Sequence, residues 1–131
     1  DYQFLNISNP DYKEGLNLKS ANDSIINILS PSGPLFFGSV EKLIKSYNQI
    51  PSDSNVIIDM KDITNIDLSG VFGLEDLIIL SQSQNRKVVI ANMDENIKKS
   101  FNDLRAIEHI GFANLCESTK EAVQKINSNS F

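Results

Sequence analysis

The chain has one cysteine, Cys116, and one histidine, His109. A lone thiol cannot close an internal disulfide, which fits a reducing compartment and makes Cys116 a small core residue before it makes it a reactive thiol. No histidine and cysteine cluster is present to hold zinc, and no Gly-x-x-x-x-Gly-Lys loop to hold a triphosphate. No apolar stretch reaches the roughly 18 residues that cross a bilayer, and no signal peptide opens the chain. The polypeptide is therefore expected to be soluble. It starts at Asp1 rather than at a methionine, as a fragment with a membrane-bound or catalytic remainder would. Basic residues gather into nothing larger than the pairs Arg86-Lys87 and Lys98-Lys99, under a net charge of -5. Without a basic stripe, no nucleic acid is expected as a partner.

What is present reads as an ordinary globular chain. Its 131 residues are 40% apolar and 22% charged, enough for one domain with a core and too few for two. Residues 1–24 are rich in Asn, Asp, Ser and Lys, with Pro10 and Gly15 as breakers, and read as a linker with one edge strand at most. Two glycosylation-like triplets, at Asn6 and Asn22, are no more than this composition yields by chance. The domain proper is expected over residues 25–127, with a frayed tail at 128–131.

Within it, residues 25–29, 56–60 and 87–91 are β-branched and apolar on both faces, as covered parallel strands are. Leu35 to Phe37 should be extended. Ser39 is the expected N-cap of a helix whose inner stripe is Val40, Leu43, Ile44 and Tyr47. A second helix from Val71 carries Val71, Leu74, Leu77, Ile78 and Ser81 inward, and Phe72 and Ile79 should widen its apolar surface and make it the most buried of the set. A third carries Ile97, Phe101, Leu104 and Ile107, ends near His109, and is closed by Gly111 in the left-handed region. Residues 112–116 are a short link or an edge strand. Ser118 and Glu121 make a capping box for the last helix, with Ala122, Val123 and Ile126 inward. Alternation at this spacing predicts an α/β fold, a four- to five-stranded, mainly parallel sheet with about four helices joined by right-handed crossovers.

The turn Asp67-Leu68-Ser69-Gly70 lies between the strand ending at Met60 and the helix beginning at Val71. In an α/β sheet the carboxyl edge is where ligands and partners bind. Ser69 would stand beside the first helical residue, where free amides and the positive end of the dipole favour an anion, including a phosphate on the hydroxyl itself. Asp67 would cap the same end. Catalysis has little to work with. His109 near a helix end reads as an exposed or C-capping side chain rather than a general base. Asp59, Asp62 and Asp67 fall toward the carboxyl end of the sheet, where convergence would attract a divalent cation, but aspartates in strand-end loops are usually turn formers. Neither a metal nor a cofactor is expected.

Two stretches carry a family resemblance. Ile66-Asp67-Leu68-Ser69-Gly70, after a Val-Ile-Ile-Asp-Met strand and before a helix with Leu74-Glu75, resembles the signature of STAS domains, shared by anti-sigma-factor antagonists and the cytoplasmic tails of sulfate permease (SulP) anion transporters. The segment from Gly33 to Lys42, Gly-Pro-Leu-Phe-Phe-Gly-Ser-Val-Glu-Lys, resembles the permease branch. The resemblance implies an STAS, anti-sigma-factor-antagonist-like fold and a non-enzymatic regulatory domain. It would be joined through residues 1–24 to a membrane-spanning transporter and act at the cytoplasmic face of the plasma membrane. Implied partners are the membrane part of the same transporter, a second copy of the domain or a soluble regulatory protein. STAS domains have also been proposed to bind nucleotides, for which the loop from Asp67 to Gly70 is the place. In the antagonist branch the serine before the glycine accepts phosphate, which is Ser69 here. The alternative is accordingly a free-standing antagonist switched by phosphorylation of Ser69. Leu68 departs from that branch, which usually carries a second serine there.

Overall fold

Val56, Ile57 and Ile58 are β-branched and bury well on both sides of a pleated sheet. In the computed structural model, which describes residues 4–6 and 25–128, they lie in the middle strand of a five-stranded sheet. The elements in order are β1 (Phe4–Asn6), β2 (Ile26–Leu29), β3 (Ser32–Leu35), α1 (Phe37–Asn48), β4 (Asn55–Asp59), β5 (Asp62–Ile66) and α2 (Leu68–Ser83). There follow β6 (Val88–Ala91), α3 (Glu95–Asp103), α4 (Ile107–Ile110), a 3-10 turn (Phe112–Asn114), β7 (Leu115–Cys116) and α5 (Thr119–Ser128). The main sheet runs β1-β2-β4-β6-β7. Only the β1–β2 pairing is antiparallel, and the other three are parallel. The mainly parallel α/β sheet expected from the sequence is thus observed, with five helices among the described residues where about four were expected. The expectations for residues 7–24, including the second triplet, lie outside the described residues.

Alternation along the strands divides the core in two. Val56 and Ile58 of β4, with Val88 and Ile90 of β6, join the larger cluster, built with α1, α2, α3 and the β3–β5 pair. Ile57, Val89 and Ala91 point the other way, with Ile26 and Ile28, and meet Ala122, Val123 and Ile126 of α5. Glu121 N–H donates to Ser118 Oγ at 3.1 Å, the serine half of the expected capping box.

Four local expectations need correction. First, β3 and β5 form a separate two-stranded parallel sheet, with a register shift at Gly33/Pro34. Within β5 only Ile63 and Ile66 are buried, so the strand shows no period of two. As a result, the turn at Asp67 does not follow the central strand directly but sits at the end of this outer pair. Second, α1 begins three residues early, and Ser39 is its third residue, with Oγ accepting from Phe36 N–H at 2.9 Å. Third, the helix expected from Ile97 to His109 is broken. Arg105 takes φ 56°, and Ala106 N–H reaches back to Phe101 O at 2.8 Å while Arg105 N–H bonds Asn102 O at 3.1 Å. These are the two bonds that close a helix with a left-handed residue, made here without glycine. The short α4 then ends at Gly111, which does take a positive φ of 85°. Fourth, Phe72 and Ile79 are exposed rather than buried, although the stripe Val71, Leu74, Leu77, Ile78 and Ser81 is buried as expected.

Candidate functional site

Two junctions, β3 to α1 and β5 to α2, lie side by side because Leu35 and Ile66 are register partners at the ends of their strands. Asp67 N–H continues the pairing to Leu35 O at 3.3 Å. The chain must then pass over that carbonyl. A Cβ on Gly70 would fall 2.4 Å from Leu35 O, so only glycine fits. One turn on, a Cβ on Gly73 would fall 2.1 Å from Val40 Cγ1, so this glycine lets α2 pack closely against α1. The two glycines set the position of both helix starts.

Asp67 is the N-cap of α2, and its Oδ1 accepts from Gly70 N–H at 3.0 Å. The same oxygen accepts from Ser69 Oγ at 2.6 Å. These donors, the hydroxyl first and the Gly70 amide next, stabilise the carboxylate and hold the Asp67 pKa below its ordinary 3.8. Ser69 is therefore the second helical residue and half-exposed, with its hydroxyl hydrogen committed to Asp67. Leu68, Phe36 and Phe72 are 43 to 46% exposed and Phe37 is 67% exposed. Phe36 and Phe37 open α1 while Leu68 and Phe72 belong to the first turns of α2, so large apolar side chains surround the two helix starts. The sequence reading found the loop but not this rim. Its signal was Phe36-Phe37, two large apolar residues in succession between a strand and a helix.

The other candidates take structural roles. Asp59 is 5% exposed and accepts from Lys61 N–H and Asn92 Nδ2, both at 3.0 Å. It ties the ends of β4 and β6 together. With Asp62 and Asp67 it forms no group that could hold a metal ion among the described residues. His109 does not cap a helix: its Nδ1 lies 3.3 Å from Glu75 Oε2, and its ring meets Phe72 edge-on with centroids 5.1 Å apart. It links α4 to α2. Cys116 is buried in β7, and burial raises its thiol pKa, so it stays protonated and unreactive at neutral pH. No described helix is long and apolar enough to cross a membrane.

The STAS domain family model matches residues 19–122. Among curated proteins, the bicarbonate transporter BicA of Synechocystis is 22% identical over 93 residues, which make up 71% of this chain but 16% of the transporter. The chain thus spans about a sixth of the length of that relative. Among solved structures, the murine Slc26a9 anion transporter in its inward-facing state superposes with TM-score 0.66 at 20% identity, over 89% of this chain and 20% of that one. The anti-sigma factor antagonist SpoIIAA in its unphosphorylated form superposes with TM-score 0.61 at 12% identity, over 98% of this chain and 97% of its own.

Proposed function

The chain belongs to the STAS domain family, and from that premise we propose that it is a non-enzymatic interaction domain of an SulP-type anion transporter, working at the cytoplasmic face of the membrane. The observation that carries this reading is the apolar rim of Phe36, Phe37, Leu68 and Phe72 around the two helix starts. Exposed side chains of this size are costly to leave in water and are the usual anchors of a protein interface. Two of them belong to the Gly33 to Lys42 segment that resembles the permease branch. The match to a short stretch of a much longer bicarbonate transporter supports the same arrangement.

The test is expression of the complete reading frame followed by membrane fractionation and anion uptake. The protein should sediment with membranes, and Phe37→Ser with Leu68→Ser should change uptake severalfold at equal transporter level. A complete product of about this length that stays in the supernatant would overturn the proposal.

A second reading is favoured by the end-to-end match with SpoIIAA and by the half-exposed Ser69 hydroxyl. In it the chain is a free-standing antagonist of an anti-sigma factor, switched by phosphorylation of Ser69. A phosphate there would gain from the α2 dipole but remove the donor that now serves Asp67 and set a second anion beside that carboxylate. It would recast the docking surface more than it would unfold the domain. Labelling of the chain by a kinase, abolished in Ser69→Ala, supports this reading. Equal labelling of the two proteins removes it.

A further inference from the structure

The last helix is fastened to one strand near both of its ends. α5 packs on β4, β6 and β7 and shares that face of the sheet with no other described helix. At its start Thr119 Oγ1 accepts from Asn92 Nδ2 at 2.8 Å, just past the carboxyl end of β6. Near its end Ile126 O accepts from Lys87 Nζ at 3.0 Å, just before the amino end of the same strand. That carbonyl belongs to the last turn, whose carbonyls have no partner within the helix, and an ammonium there also suits the negative end of the dipole. α5 thus runs antiparallel to β6 and is tied to the residues that flank it.

Between the ties the grip is slight. α5 buries Ala122, Val123 and Ile126, whereas α2 buries Val71, Leu74, Leu77 and Ile78. Packing of an apolar face is most of what holds a helix in place, so α5 has the weaker hold. The seated helix also carries a conflict, because Asn127 Oδ1 is buried and has no hydrogen-bond partner. Such an acceptor loses its hydration when α5 sits on the sheet and regains it when α5 lifts. A helix with few apolar anchors and a desolvated acceptor of its own is the kind of segment that opens ahead of the rest of a fold.

We propose that α5 is a strap that leaves the sheet as one unit while β4, β6 and the α1–α2 layer stay folded, and that the tie from Asn92 to Thr119 sets how often it does so. Lifting it bares Ile26, Ile28, Ile57 and Val89, an apolar face of the kind that parallel sheets keep covered. The chain then presents a concealed apolar surface without losing the edge at Asp67. Neither functional reading above is needed for this, because α5 lies on the face opposite α1 and α2.

Amide hydrogen exchange of the folded chain, followed in rising urea below the unfolding transition, is the test. In the parent chain the amides of residues 122–126 should open at least about tenfold more often than those of Ile57, Leu74 and Val89. They should also respond little to urea, because lifting one helix exposes less surface than unfolding the domain. Leu74→Ala, on the opposite face, should speed the amides of Ile57 and Val89 and leave 122–126 unchanged. Thr119→Val removes the acceptor at nearly constant shape and should speed 122–126 about two- to tenfold, the range of one neutral hydrogen bond. Thr119→Ser keeps the acceptor and should change them less. Asn92 is left in place, because its side chain also donates to the buried Asp59. If amides 122–126 follow Ile57 and Val89 in their urea dependence or in their response to Leu74→Ala, α5 leaves only with global unfolding and the proposal is overturned. Exchange at 122–126 that is indifferent to Thr119→Val overturns it as well.

Discussion

One face of the main sheet is covered by α1, α2, α3 and the β3–β5 pair, whereas α5 is the only described helix on the other. The thick face is filled by large side chains, with Tyr47, Phe101, Leu43, Leu74 and Met60 all essentially inaccessible. The thin face uses Ala91, Ala122 and Cys116 between its β-branched residues, which brings α5 close to the strands. The difference shows why two edges of the fold are unlike. Where two helices begin side by side on a thick layer, the glycines Gly70 and Gly73 lock a rigid edge and push apolar side chains outward. Where α3 and α5, from opposite faces, meet at the short edge strand β7, the layers do not close and a cleft remains between Phe101, Leu115 and Cys116.

Truncation of the core measures that inequality most directly. Leu74 is fully buried between α1 and the sheet, so Leu74→Ala should cost about 3 to 4 kcal/mol. Ile126→Ala, on the one described helix of the thin face, should cost about 2 kcal/mol, because no second described helix packs over α5 there and it can settle into the space. Urea denaturation at unchanged slope gives both values. Equal losses would mean that α5 is held as firmly as α2, and the contrast drawn here would fail.

The glycine lock comes next in size. In Gly70→Ala the new methyl group meets the Leu35 carbonyl, which is backbone and cannot swing aside. Overpacking of that kind costs about 2 kcal/mol and should also disturb the amide resonances of α1. Gly33→Ala has open space around it but a φ of +82°, so it should cost only about 1 kcal/mol. If the two variants melt together, conformation rather than contact governs Gly70.

These magnitudes also show what could be read in the sequence. The three buried strands were legible because Val56 to Ile58, Val88 to Ile90 and Ile25 to Leu29 carry apolar residues on both faces, a pattern only a covered sheet explains. Asp67 as the α2 cap was legible from local chemistry alone. β5 was not, because Asp62, Thr64 and Asn65 are exposed and its pairing with β3 shifts register. Nor was the break at Arg105, since a left-handed arginine has no sequence mark. The exposure of Phe72 was hidden for a different reason: helical periodicity places it beside the buried stripe, and only the edge-on contact with His109 shows which neighbour it has instead. The loop at the site was found from residue types, and its apolar surroundings required the fold.

The smallest effect tests whether the Asp67 loop is held by charge or by shape. Its folded pKa lies below that of the unfolded chain, so its contribution is present above the ordinary value of 3.8 and is lost as pH falls through the folded value. Asp67→Ala should cost about 1 kcal/mol at neutral pH, the usual worth of an N-cap. The gap to the parent chain should hold down to the ordinary value and shrink below it. Asp67→Asn keeps an acceptor for Gly70 N–H but does not titrate, so its gap should be smaller at neutral pH and should narrow or reverse in acid. Ser69→Ala removes the largest stabiliser of the carboxylate and should move the acid loss to higher pH while leaving most of the neutral-pH stability. A gap for Asp67→Ala that stays the same at every pH would mean that the side chain works there only as a spacer, and the ionic hydrogen bonds from Ser69 and Gly70 would carry no net stability.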